Sequence, residues 1–213
     1  MFGKNTNLMY RRIRNICGFL GMILPWISII SVLLIKNRPE GSFQSISCTY
    51  YQSPALAAIL TAAAIVLMTY DGYNKIDNLV TTISGVFGLG IVLFPCSVKF
   101  SFVNSNAVGF FQLPMNISNK IHCFCAITFF ALLAYNSFFL FTKGDDNPTK
   151  QKKIRNLIYR ICAIGMVSGA VICTSLDVIF GIPNVTMIME IILLQFFGIS
   201  WLTKGEVIFK DKQ

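Results

Sequence analysis

"ICGFLGMILPWISIISVLLI" occupies residues 16–35, and none of its side chains is charged. A helix of about 20 residues covers roughly 30 Å, the thickness of the hydrocarbon layer of a bilayer. A basic segment precedes the run, which is also the layout of a signal peptide. However, the run is of full spanning length, and Lys36-Asn37-Arg38-Pro39 follows it in place of a small-residue cleavage site. The stretch therefore reads as a first membrane helix that stays attached.

The rest of the chain repeats the pattern. Of its 213 residues 54% are hydrophobic and 13% charged, more apolar surface than one water-soluble core hides. Further apolar runs are Pro54–Tyr70, Leu79–Val98, Ile121–Phe141, Ile161–Phe180 (within a helix over about 157–180) and Val185–Leu202. Inside a bilayer each backbone amide needs a partner in its own segment, so such runs are helices. The expectation is an all-α, polytopic integral membrane protein. It is a six-transmembrane-helix bundle forming a single domain, 1–213, with no soluble extension.

Charge sets the orientation. Of the 18 Lys and Arg residues, all but Lys36, Arg38, Lys99 and Lys120 fall on the side that an even number of spans gives to both termini. Positively charged loops stay in the cytoplasm, so both termini are expected there, with the chain in the cell (plasma) membrane. The net charge of +9 then reads as an orientation signal and an attraction to anionic headgroups. No groove-reading motif accompanies it, so no nucleic-acid partner is expected. The expected partners are membrane lipids, with a membrane-protein partner or a second copy of the chain.

Connections are short on the basic side, Asp71–Asn78 and Thr142–Arg160. On the other side Lys36–Ser53 and Lys99–Lys120 are sizeable. The latter contains "AVGFFQLP" (107–114), apolar enough to lie on the membrane surface or fold back over the bundle. Only a few residues, around Gly181–Asn184, separate the last two helices, making them antiparallel neighbours. Small residues that let helices approach closely are Gly165 and Gly169, Gly85, Gly88 and Gly90, and Ala58 and Ala62. Pro25 removes a hydrogen bond from the first helix. The basic stretches at residues 11–15 and 152–156 echo one another as two helix caps rather than as a transporter repeat.

Ionisable groups at membrane depth are the first candidates for function. Glu190 sits inside the last apolar run, Asp177 near the end of the preceding one, and His122, the only histidine, opens the fourth. Ser45, Ser47, Tyr50 and Tyr51 come from "SFQSISCTYYQS" (42–53) just before the second. These groups aim at one zone near the outer face. Glu190 and His122 there suit general acid–base work or a proton relay; equally, the carboxyl serves structure through hydrogen bonds and the imidazole sits among headgroups. On the basic side, Tyr70, Asp71, Gly72, Tyr73 and Asp77 form a structured loop, with Asp77-Asn78 capping the third helix. The loop is alternatively a contact for headgroups or a partner.

Metal ligation is not expected. In "KIHCFCAITFF" (120–130) His122 and Cys125 share a helix face, but Cys123 does not. No Cys-x2-Cys spacing occurs. Seven cysteines leave a Cys48–Cys96 disulfide open without fixing its connectivity. No phosphate-cradling loop, nucleophile elbow or His-Glu-x-x-His motif is present, and no cofactor is expected.

"SISCTYY" (45–51), "YDGYNKIDN" (70–78), "SGVFGLGIVLFPCS" (84–97) and "IHCFCAITFFALLAYNSFFLFT" (121–142) together resemble a bacterial family of six-span membrane proteins of unknown function. "KIRNLIYRICAIGM" (153–166) and "LLQFFGISWLTKGE" (193–206) extend the likeness over nearly the whole chain. More distantly, the chain is similar to the six-span group containing the damage-regulated autophagy modulators and the fibroblast-growth-factor-receptor-activating protein. That group shares a Gly-rich third helix and a histidine at the start of the fourth. The resemblance implies the six-helix fold and no particular chemistry. It puts weight on Tyr50, Asp71, Gly72, Tyr73, Pro95, His122 and Glu190. The sequence-based expectation is a non-catalytic protein that binds or moves lipid-like molecules or supports other envelope proteins. An enzyme acting on an outer-leaflet lipid through His122 and Glu190 is the alternative, and a proton-coupled transporter the second.

Overall fold

A computed structural model of the chain describes residues 2–72, 74–144 and 148–209. Six α-helices follow one another: α1 (Phe2–Leu33), α2 (Ala55–Met68), α3 (Lys75–Leu93), α4 (Met115–Tyr135), α5 (Lys150–Phe180) and α6 (Val185–Lys204). A 3-10 turn, Ser47–Tyr51, precedes α2, and a single π-helical turn, Asn136–Leu140, prolongs α4. Among the described residues the one β-type contact is the bridge between Val108 and Leu113. All helices but α2 are long and apolar enough to cross a membrane.

The helix bounds depart from the apolar runs for local reasons. The first helix starts at Phe2 rather than near residue 16, because nothing in the polar segment breaks it. Asn74, in an extended conformation, accepts the N–H of Asp77 and starts α3 at Lys75. The cap is thus Asn74, not the expected Asp77-Asn78 pair. At the other end α3 stops at Leu93, short of Val98, since Pro95 supplies no N–H to continue the ladder. Pro114 fixes the start of α4 at Met115, six residues before the apolar run. The largest difference is α2. Its 14 residues rise about 21 Å, below the roughly 30 Å of a full crossing. Some of the run expected to span is spent on the turn that ends at Tyr70.

Close packing orders the helices into a ring, α5–α6–α1–α2–α3–α4, with the sparsest contact where α4 meets α5. A side chain at Gly165 would strike Phe196, and one at Gly85 would strike Met68 and the Ala64 carbonyl. Those seams join α5 to α6 and α2 to α3. Gly88 and Gly90 let α3 lie against Phe129 and Cys125 of α4. On α2 the buried small residues are Ala63 and Ala64, whereas Ala58 is exposed, which corrects the expected Ala58/Ala62 seam. A further seam, not anticipated, brings Gly18 and Gly21 of α1 against Leu202, Phe197 and Gly198 of α6.

The core's aromatic centre is Trp201, fully buried, with rings of Tyr70, Phe141 and Phe197 around it. Outward, Ile127, Val171, Val178, Ile179 and Phe180 are exposed, a surface suited to lipid rather than water. "AVGFFQLP" folds back as a tight turn: Val108 N–H donates to the Leu113 carbonyl (2.9 Å) and Leu113 N–H to that of Val108 (3.1 Å). Gly109 at its tip has φ +70°, and a Cβ there would meet Pro95 Cδ at 2.5 Å, so both conformation and room demand glycine. Val108 is buried beside Cys48, Cys96 and Phe100, while Phe110 and Phe111 are exposed.

Candidate functional site

Two helix ends and one loop interlock to make the site. The first turn of α6 has backbone N–H groups without helical partners, and Asn184, which precedes it, provides no side-chain cap. The Gln44 carbonyl takes the N–H of Met187 instead (3.1 Å). In return Glu190, one turn further along α6, caps the 3-10 turn of the loop. Its carboxylate accepts the Ile46 N–H, the Ser47 N–H (3.4 Å) and the Ser47 hydroxyl (2.8 Å). Residues 44–47 and α6 thus cap each other.

The end of α3 is served in the same way by α4. Ser118 and His122 lie four apart and share a face. Ser118 donates its hydroxyl to the Pro95 carbonyl (2.8 Å). His122 Nδ1 lies 2.9 Å from the Phe94 carbonyl and 3.2 Å from that of Ile91. With only acceptors around it Nδ1 carries the proton. Asn119 Oδ1 accepts the Ser97 N–H (2.8 Å), and Tyr51 donates its hydroxyl to the Cys96 carbonyl (2.8 Å). Burial raises the Tyr51 phenol above its ordinary range.

Between these clasps lies a cavity of about 380 Å³ lined by Gln44, Ser45, Ser47, Cys48, Cys96, Ser97, Asn119, His122, Cys123, Thr174, Asp177, Thr186 and Glu190, among others. Of the anticipated zone it gathers Ser45, Ser47, His122, Asp177 and Glu190. His122 and Glu190 face the same space, but among the described residues no hydrogen bond or ion pair joins them. Asp177 is exposed at the rim. Tyr50 and Tyr51 do not line the cavity. Tyr50 packs against the core, and the Tyr51 ring sits edge-on to those of Tyr50 and Phe100. A second, apolar groove of about 250 Å³ runs between α4 and α5 over Phe130, Ala131, Met166, Ala170 and Leu193. The two spaces share Ala126, Ile127, Thr174, Met189 and Glu190, so they lie side by side where the helix ring is loosest.

Cys48 and Cys96 meet in the cavity wall with their sulfurs 4.0 Å apart. Cys48 Sγ accepts from Cys96 and from the Ser45 hydroxyl (3.1 Å). The hydrogen bond from Cys96 pulls the Cys48 thiol down, and the same bond, with burial, pushes Cys96 up. All seven cysteines are free thiols. Among the described residues no three His, Cys, Asp or Glu side chains are arranged to hold a metal ion.

The other anticipated cluster lies at the opposite end of the bundle. Arg14 donates to the Tyr70 hydroxyl (3.2 Å) and stacks over its ring, and Tyr10 donates to Asp71 (3.3 Å). Asn78 holds the turn between them, donating to Asp71 and accepting the Gly72 N–H (2.6 Å). Asp77 is buried and ion-paired with Lys143 (2.7 Å). Tyr73 lies outside the described residues. Sequence reasoning missed Lys204 here. It is buried over the Phe141 ring, donating to the Phe141 carbonyl (3.3 Å), which also accepts from Lys152 (3.1 Å).

The fold and its apolar helices define a helical membrane bundle with a polar cavity at one end. Comparison of the chain with protein-family models, curated proteins and solved structures finds no match. The likeness to the six-span family therefore rests on the quoted residues alone.

Proposed function

We propose that this chain binds a lipid-like amphiphile, holding it or passing it on without chemical change. The headgroup occupies the cavity beside Glu190, and the acyl chain lies in the groove between α4 and α5. The observation that carries this reading is that a cavity edged by polar side chains adjoins an apolar groove, the two sharing Ala126, Ile127, Thr174, Met189 and Glu190. An amphiphile has that division along its length, and the groove buries its methylenes at about 0.8 kcal/mol each. The headgroup is hydroxyl-bearing and carries no net negative charge. No Lys or Arg lines the cavity among the described residues, whereas Asp177 and Glu190 do. A phosphate would stand against two carboxyls without a counter-charge. The side chains of Gln44 and Thr186 are left to contact it.

Acid–base turnover by His122 and Glu190, the alternative, would use the same cavity. Their commitments favour binding: Glu190 is occupied by three donors and His122 Nδ1 by two carbonyls. The likeness to the bacterial six-span family supports a bacterial plasma membrane as the location. The basic bias supports cytoplasmic termini and a cavity open to the outer leaflet. That topology has α2 complete its crossing with the residues around it.

Two experiments test these readings. In native mass spectrometry of protein extracted in mild detergent, the wild type retains a lipid whose headgroup carries no net negative charge. Ala170→Trp, which fills the groove, loses it while remaining folded and monodisperse. Equal retention by both, or lipid-free wild type, contradicts the binding reading. A reporter fused after residue 213 that matures only in the cytoplasm is active. Activity instead of a reporter that needs export overturns the topology.

A further inference from the structure

We propose that Cys48 and Cys96 form an oxidisable dithiol that a disulfide compound reaching the cavity converts to an intramolecular disulfide, tying the α1–α2 loop to the end of α3. The pair comes from connections 48 residues apart in sequence, yet the sulfurs face each other at 4.0 Å in the wall of an open cavity. A disulfide needs about 2.05 Å between sulfurs, so closing it asks for about 2 Å of relative movement from two loop segments rather than from packed helices. Both cysteines lie outside the helices, Cys48 in the 3-10 turn and Cys96 just past Pro95.

The surroundings assign the order of events. Cys48 Sγ accepts hydrogen bonds from Ser45 and Cys96, which favour its thiolate, the nucleophilic form. That thiolate attacks one sulfur of the incoming disulfide. The S–S bond breaks, its electron pair leaves on the second sulfur, and that sulfur takes up a proton as a free thiol. Cys96, deprotonated in its turn, then attacks Cys48 Sγ and expels the remaining half as a second thiol. Two cysteine thiols lose two electrons and two protons, and one external disulfide gains them.

The bond would reach the cavity directly. Cys48 is the next residue after Ile46 and Ser47, whose N–H groups donate to Glu190, and Tyr51 already ties the same turn to the Cys96 carbonyl. Oxidation therefore makes permanent a clasp that hydrogen bonds hold reversibly in the dithiol.

Full-length protein in nanodiscs is reduced, freed of reductant and incubated with oxidised glutathione, then read by intact mass and peptide mapping. The expected product carries a Cys48–Cys96 cross-linked peptide two hydrogens lighter than the two thiol peptides together. Cys96→Ser stops at a glutathione adduct on Cys48, and Cys48→Ser gives no cross-link. Cys123, exposed in the same cavity, reports that the reagent arrives. Free thiols at Cys48 and Cys96 after treatment overturn the proposal, as do separate adducts on both without a cross-link. The wild-type result decides the matter even if a variant fails to fold.

Discussion

Replacing Glu190 with alanine lowers the stability of the bundle by roughly 2–4 kcal/mol and abolishes lipid retention. The carboxylate is the acceptor for the Ile46 and Ser47 N–H groups and the Ser47 hydroxyl. Its removal leaves the amides of Ile46 and Ser47, both buried, without their acceptor. An unsatisfied buried donor costs about 1–3 kcal/mol. The loop also forms one wall of the cavity, so its release and the loss of ligand come together. Glu190→Gln keeps one carbonyl acceptor and falls between the two. Thermal unfolding of the three proteins in the same detergent checks the order wild type, Gln, Ala. An alanine variant as stable as the wild type would remove the clasp from the account.

A larger loss is expected from Gly85→Leu. Even the first carbon of a side chain there would lie 2.4 Å from Met68 Cγ and 2.5 Å from the Ala64 carbonyl oxygen. Met68 is flexible enough to give way, but the Ala64 oxygen belongs to the backbone of α2. Relief therefore means separating α2 from α3. Overpacking typically costs about 1–3 kcal/mol, and more where backbone must move; here the expected outcome is protein that does not accumulate in the membrane. Gly169→Ala is the control: its nearest neighbours stand at 3.3 and 3.4 Å and are side-chain atoms of Ile192 and Leu193. Membrane yield and monodispersity of the two variants provide the test, and equal yields would contradict the packing of α2 on α3.

How far the sequence discloses this molecule depends on the range of the interaction. Spans are legible because hydrophobicity and length are local properties, and the glycines at 85 and 165 lie at seams for the same reason. The ends of helices are less so. Pro95 announces the end of α3 only when it is weighed above the apolar residues around it. Ala63 and Ala64, rather than Ala58 and Ala62, face inward because the rotation of α2 is set by its neighbours, which periodicity in a uniformly apolar helix does not reveal. For the site, Glu190 stands out as a carboxyl within an apolar run, and its neighbourhood with Ser47 follows from the shared end of the bundle. Its partners, two backbone amides, carry no sequence signature. His122 was readable as singular but not as the group that satisfies the carbonyls ending α3. The spacing Ser118-x-x-x-His122 after a proline-terminated helix was the available signal. The groove between α4 and α5 is a property of a gap, and no residue type marks it.

The binding account is tested most directly by an experimental structure of the protein in nanodiscs made from its native lipid extract. The account predicts continuous density for one amphiphile, with its headgroup beside Glu190 and Thr186 and its chain along Ala170 and Phe130 between α4 and α5. A cavity closed off from the groove, with α4 and α5 packed together and no ligand density at Glu190, would contradict it.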